Sequence, residues 1–204
     1  MSEECVFIDS GNTKIEGLLE NLSGREGVVV THPHPLYGGN MHNNVVDAIV
    51  QGYHKKGYST FRFNFRGVGG SQGVYDNGIG EQEDVRAALN YLFDLGKDSI
   101  DLAGYSFGAW VNALGLETFE HVSRMIMVSP PLNLISFDFL KYNPKIQLLI
   151  VGNRDEIAGY EAIEGSLVNW NPEAVLRIID GADHFYGGKT NELKSIITDF
   201  LEIE

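Results

Sequence analysis

Ile100-Asp101-Leu102-Ala103-Gly104-Tyr105-Ser106-Phe107-Gly108 is the stretch whose reading decides the fold. A mostly apolar, strand-compatible run enters Gly-x-Ser-x-Gly, and a helix-compatible segment follows through Leu114. When a strand turns sharply into a helix the central residue is strained, so the positions two before and two after it must be small. Gly104 and Gly108 meet that need. The serine between them sits at a helix N-terminus, where free amides and a partial positive charge favour negative charge developing on an attacking oxygen. The plainer reading, two glycines in a tight turn, is outweighed by the strand and helix on either side.

Outward from this point the chain alternates. Towards the N-terminus, Val6 to Ile8 and Lys14 to Leu19 flank the turn formers Asp9-Ser10-Gly11-Asn12 and read as an antiparallel hairpin. Gly27 to Thr31 is a β-branched run of the kind buried on both faces, which makes it a central strand. Val45, Val46, Ile49, Val50 and Tyr53 recur at helical spacing until Gly57 stops them. Tyr58 to Phe65 is extended, Gly67 to Asp76 is loop, and Asp84 to Leu95 is helical. Towards the C-terminus, strands are expected at Met125 to Ser129, Ile146 to Val151 and Ala174 to Ile179, with helices between them and a last helix from Glu192 to Ile203. Such alternation implies an α/β fold: right-handed crossovers, a mostly parallel central sheet with helices on both faces, and chemistry in the loops beyond the carboxyl ends of the strands.

Length and composition limit the rest. A chain of 204 residues, 43% hydrophobic, closes one core, so residues 1–204 are expected to form a single domain. A formal charge of -13, with cations scattered along the chain, opposes nucleic acid as a partner. Cys5 is the one cysteine, which excludes an intrachain disulfide and a Cys-rich zinc site and favours a cytoplasmic location. Met1 to Asp9 lacks the basic and apolar regions of a signal peptide, and no apolar run approaches the roughly 20 residues of a membrane span, so no membrane partner is expected.

A serine hydroxyl needs a base, and histidine meets that need near neutral pH. With a serine elbow the acid and then the histidine follow down the chain, which leaves His121 and His184. His121 opens a strand too close to the elbow helix. His184 lies in Gly181-Ala182-Asp183-His184-Phe185-Tyr186-Gly187-Gly188, a loop between the last strand and the last helix. The acid that orients it belongs on another loop at the same edge of the sheet. Asp155, in Gly152-Asn153-Arg154-Asp155-Glu156-Ile157, is the best placed, with Glu156 second and Asp183 disfavoured as a sequence neighbour. After the first central strand, His32-Pro33-His34-Pro35-Leu36-Tyr37-Gly38-Gly39-Asn40 occupies the position that donates the second oxyanion-hole amide. Proline cannot donate, so His34, Leu36 or Tyr37 supplies it, and Leu36 is favoured. Zinc bound by His32, His34 and His42 is the rival reading; the alternating prolines argue for a rigid turn, and no metal or other cofactor is expected. Phe61 to Ser71 holds a Gly-x-Gly without the third glycine of a dinucleotide fingerprint, and Arg66 reads as an anchor for the loops.

With these loops in place the sequence resembles the α/β-hydrolase superfamily over essentially its whole length. His-Pro-His-Pro-Leu-Tyr-Gly-Gly and Phe-Asn-Phe-Arg-Gly-Val-Gly-Gly-Ser look like small bacterial and archaeal hydrolases akin to dienelactone hydrolases, with serine where those enzymes use cysteine. The resemblance implies a triad of Ser106, Asp155 and His184 and an oxyanion hole from Phe107 and the His-Pro-His-Pro loop. Pro130 to Lys145 is too short for the helical cap of many relatives. An open pocket bordered by His34, Tyr37, Leu36, Phe107 and Phe137 or Phe139 suits a small-molecule ester with a short acyl chain. A peptidase, amidase or thioesterase on the same triad, or a catalytically silent binding protein of the same fold, are the alternatives.

Overall fold

The computed structural model describes residues 3–202. Eight strands form one sheet: β1 (Glu4–Ser10), β2 (Thr13–Glu20), β3 (Glu26–Thr31), β4 (Ser59–Phe63), β5 (Ser99–Tyr105), β6 (Val122–Val128), β7 (Ile146–Gly152) and β8 (Val175–Ile179), in the order β1-β2-β4-β3-β5-β6-β7-β8. The N-terminal hairpin is antiparallel, as its turn formers require, and β2 also runs antiparallel to β4; every other pairing is parallel. Five α-helices lie among the described residues: α1 (Asn44–His54), α2 (Ile79–Asp94), α3 (Phe107–Gly115), α4 (Tyr160–Trp170) and α5 (Thr190–Phe200). Among the described residues no helix is long and apolar enough to cross a membrane.

The core lies on both faces of the sheet, which is why the middle strands are largely apolar, with Asp101 of β5 and Arg124 of β6 paired at 2.6 Å among them. On one face Val45, Ile49 and Tyr53 of α1 meet Leu193 and Ile197 of α5 over Val28, Val30 and Ile126. On the other, Val85 and Leu89 of α2 and Val111 of α3 cover Val29, Leu102 and Met127. From β3 the chain crosses to β4 on one side, whereas from β5 it proceeds to β6 on the other. The crevice beyond the carboxyl ends of β3 and β5 is therefore the topological switch point at which ligands bind in open α/β sheets.

Three departures from the sequence reading stand out. The helix expected from Asp84 begins at Ile79, because the Glu81 carboxylate accepts the Asp76 and Gly78 amides and caps a first turn that carries no apolar period. Residues 130–145, between β6 and β7, hold no helix, so the strict alternation breaks there: Pro130 and Pro131 open a series of turns instead. The last helix starts at Thr190 and ends at Phe200; Ile203, the expected end, lies outside the described residues.

Candidate active site

Ser106 has φ 54° and ψ -120°, a strained conformation for an L-residue, between the end of β5 and the start of α3. Its amide is tied to Val128 O at 2.9 Å, so the turn is anchored to the neighbouring strand. A Cβ on Gly108 would stand 2.6 Å from Thr31 Oγ1 and 2.7 Å from Thr31 O, and one on Gly104 would stand 2.5 Å from Asn112 Nδ2. These contacts are the physical reason for the two glycines: α3 enters directly over the end of β3.

His184 arrives from the loop after β8. Its Nε2 lies 2.9 Å from Ser106 Oγ, and its Nδ1 lies 2.9 Å from Asp155 Oδ2 and 3.0 Å from Oδ1. An ionised carboxylate only accepts, so Nδ1 carries the proton and Nε2 keeps the lone pair that faces the serine. The backbone fixes the ring as well: Tyr105 Oη donates to His184 O at 2.6 Å. Asp155 sits beyond β7, where Oδ1 accepts the amides of Ile157 at 3.0 Å and Ala158 at 2.8 Å. Burial alone would raise its carboxyl. The hydrogen bond and charge of His184, with the Ser129 hydroxyl and the Ala158 amide, outweigh burial and hold it below the usual carboxylate range. Glu156, the second choice for the acid, is exposed, and the Asp183 carboxylate accepts from the Phe185 amide at 3.0 Å, away from the imidazole.

The acid loop and the histidine loop touch through backbone. A Cβ on Gly152 would collide with the carbonyl of Ala182, and the Arg154 amide donates to that same carbonyl at 3.0 Å. Asn153 completes the seam, donating to Asp180 Oδ1 at 2.7 Å and accepting from the Gly181 amide at 2.8 Å.

A cavity of about 480 Å³ opens at Ser106, lined by His34, Tyr37, Phe107, Leu134, Ile135 and Phe185 among others. His34 packs against the rings of Tyr37, Tyr75 and Phe107 at centroid distances of 4.8, 5.2 and 4.7 Å. Among the described residues, none that lines it is a lysine, arginine, aspartate or glutamate. Leu36 and Phe137 do not fit their expected places. The Leu36 amide is spent on His34 Nδ1 at 3.2 Å and its side chain is 67% exposed outside the cavity. Phe137 is buried against Trp170, at 5.5 Å between ring centroids, and lines a neighbouring groove instead. The Tyr37 amide is also taken, by His34 O at 3.1 Å, which leaves the His34 amide without a hydrogen-bond partner among the described residues.

His32, the first histidine of the proline-rich loop, is wholly buried, and both ring nitrogens are engaged: Nδ1 donates to Pro33 O at 2.6 Å and Nε2 accepts from the Phe65 amide at 3.0 Å. Burial lowers its pKa to about 4. The neutral ring bolts the loop after β3 to the chain leaving β4, so the His-x-His spacing serves a turn. Arg66 anchors likewise, its guanidinium gripping both oxygens of the buried Asp84 at 2.8 and 3.1 Å. Sequence reasoning missed Ser129, Tyr105, Tyr75 and Tyr186, all of which touch site residues. Only Tyr105 and Tyr186, flanking the serine and histidine motifs, offered a signal in proximity.

No family model matches the chain. It is 35% identical to the uncharacterised protein RP471 of Rickettsia prowazekii over 96% of this chain and 87% of the other. An α/β serine hydrolase homologue from Coxiella burnetii is 33% identical, with 98% of each chain covered and a TM-score of 0.90. A lidless α/β serine hydrolase from Xanthomonas campestris is 27% identical, covering 99% of this chain and 94% of its own, also at a TM-score of 0.90. Sheet order, strained elbow and near-complete correspondence with these hydrolases lead to one conclusion: the chain belongs to the α/β-hydrolase family.

Proposed function

We propose that the protein hydrolyses small, uncharged carboxylic esters through an acyl-enzyme formed on Ser106. The observation that carries this reading is the continuous line from Ser106 Oγ through His184 to Asp155, opening on an apolar cavity. His184 Nε2 takes the proton as Ser106 Oγ attacks the ester carbonyl. The resulting oxyanion is held by two amides that have no other partner among the described residues, those of Phe107 and His34. Collapse of the tetrahedral intermediate expels the alcohol, which receives the proton from His184. Water, deprotonated by the same nitrogen, then releases the acid. Asp155 stays ionised and holds the imidazolium formed in each half. None of these steps calls on a metal or cofactor. The cavity supports an acyl or alcohol part of modest size, and its lack of ionic side chains disfavours charged substrates, which would find no counter-ion there.

The test is labelling with a fluorophosphonate probe, with the adduct mapped by mass spectrometry, followed by p-nitrophenyl esters of increasing chain length. Ser106 should carry the adduct, and kcat/KM should peak at short chains. Ser106→Ala should remove labelling and reduce hydrolysis by orders of magnitude at an unchanged melting temperature. An adduct on another serine, or undiminished activity in the variant, would sink the assignment.

A further inference from the structure

Of the non-glycine residues with positive φ, three surround one point: Ser106 at 54°, Ser129 at 46° and Tyr186 at 55°. The elbow explains the first. Nothing in the triad itself requires the other two, and the left-handed region is unfavourable for serine and more so for a bulky tyrosine.

Ser129 follows β6, where its amide donates to Ile150 O of β7 at 2.8 Å. Tyr186 lies two residues beyond His184, its ring wholly buried. In these backbone conformations the two hydroxyl oxygens meet at 2.7 Å, and Tyr186 Oη also lies 3.4 Å from Ile150 O. Hydrogen bonding from the Ser129 hydroxyl is also among the causes that hold the Asp155 carboxyl below its usual range, which sets Ser129 between Tyr186 and the acid. Serine has a single proton, so when that proton points at the carboxylate the Tyr186 O–H must be the donor to Ser129 Oγ. Burial raises the Tyr186 phenol well above its ordinary value, so it keeps its proton throughout the working range.

We propose that Ser129 and Tyr186 are positioning residues: a buried hydroxyl relay, running from Tyr186 to Ser129 to Asp155, that sets the orientation of the carboxylate and through it the basicity of His184. The relay links the segments that follow β6, β7 and β8, so the histidine loop is tied to its own acid by a route separate from the imidazole. The inference rests on the reading of Ser106, Asp155 and His184 as the triad. The other ionisable groups around the pair are Tyr105, which reaches in from β5 to His184 O, and Asp183 in the histidine's own loop.

The test uses Ser129→Gly, Ser129→Ala and Tyr186→Phe in the full chain. Glycine relieves the positive φ at position 129, so Ser129→Gly should melt no lower than wild type if its hydroxyl does nothing but occupy space; Tyr186→Phe keeps the ring. The relay forecasts a fall in kcat and in fluorophosphonate labelling rate of about ten- to hundredfold, the worth of one hydrogen bond to a charged group, with KM within about twofold. A carboxylate with one donor fewer places more charge on the imidazole, so the acid limb of the rate should move to higher pH. The low-field proton resonance of His184 Nδ1–H should shift in both kinds of variant. Folded variants with wild-type rate, limb and resonance would overturn the relay. A wild-type protein that resists the probe at Ser106, while the variants still shift the resonance, would instead overturn the triad reading and leave the relay standing.

Discussion

Asp155 is held by two amides of its own loop before it meets His184, so replacing its charge need not displace it. Asp155→Asn should therefore preserve most of the stability while favouring the wrong imidazole tautomer, with kcat lower by on the order of 10⁴. Glu156→Gln, on an exposed side chain, should leave kcat within about twofold, and steady-state kinetics on the two purified variants decide the matter. A second residue governs stability against pH. His32 titrates at about 4 when folded against 6.5 when free. Between those values the unfolded chain binds more protons, so stability is full above 6.5, falls as pH drops towards 4, and gains no further penalty below. The gap amounts to about 3 kcal/mol. Urea midpoints measured across this window should show that loss, and His32→Gln, though less stable at neutral pH, should show a flatter dependence. At this scale the meeting of Ser106, Asp155 and His184 was legible because each stands in a loop whose flanking elements announce it. Leu36 was misjudged because which amide is free depends on where the His34 ring turns, and Phe137 because its partner Trp170 is distant in sequence.

Elements of the fold carry their own signatures, and the strand-to-helix elbow is the clearest. Gly108→Ala would press a methyl against Thr31 and the carbonyl of His32, 2.8 Å away, and so push the loop that presents His34 away from Phe107. Activity should fall by at least about tenfold, more steeply than the melting temperature, if the His34 and Phe107 amides act together. The loop after β4 depends on a different device. Arg66→Ala would strip Asp84, which has no exposed side-chain surface, of its guanidinium and leave Ser10 Oγ and the residue 66 amide as donors, at a cost of about 3–5 kcal/mol by urea denaturation. Strands and most helices were readable from apolar runs of two different periods. The early start of α2 was not, because a carboxylate cap rather than hydrophobic spacing creates its first turn. Nor was the helix-free 130–145 segment, where two prolines outrank the expectation of regular alternation.

On the scale of the whole molecule, the absence of a helix between β6 and β7 leaves the Ser106 cavity open to solvent. Rates with a sparingly soluble ester should rise smoothly with concentration, without a jump where micelles form, since no cap has to be displaced by an interface. The single-layered sheet and its two-sided core were foreseeable from buried central strands, but not the place of β2 beside β4, since nothing in either strand's pattern selects its neighbour. The spacing of the site along the chain has a temporal consequence. Ser106 stands 78 residues from His184, which stands 29 from Asp155, and the two loops meet only where β8 has paired with β7. Long-range contacts of this sort close late in folding, after their loop entropy has been met by the rest of the sheet. On the proposed reading catalytic competence comes late: on refolding from urea, recovery of probe labelling should trail recovery of helical signal, and a ribosome-bound chain that has not yet released its last strand should not take up the probe.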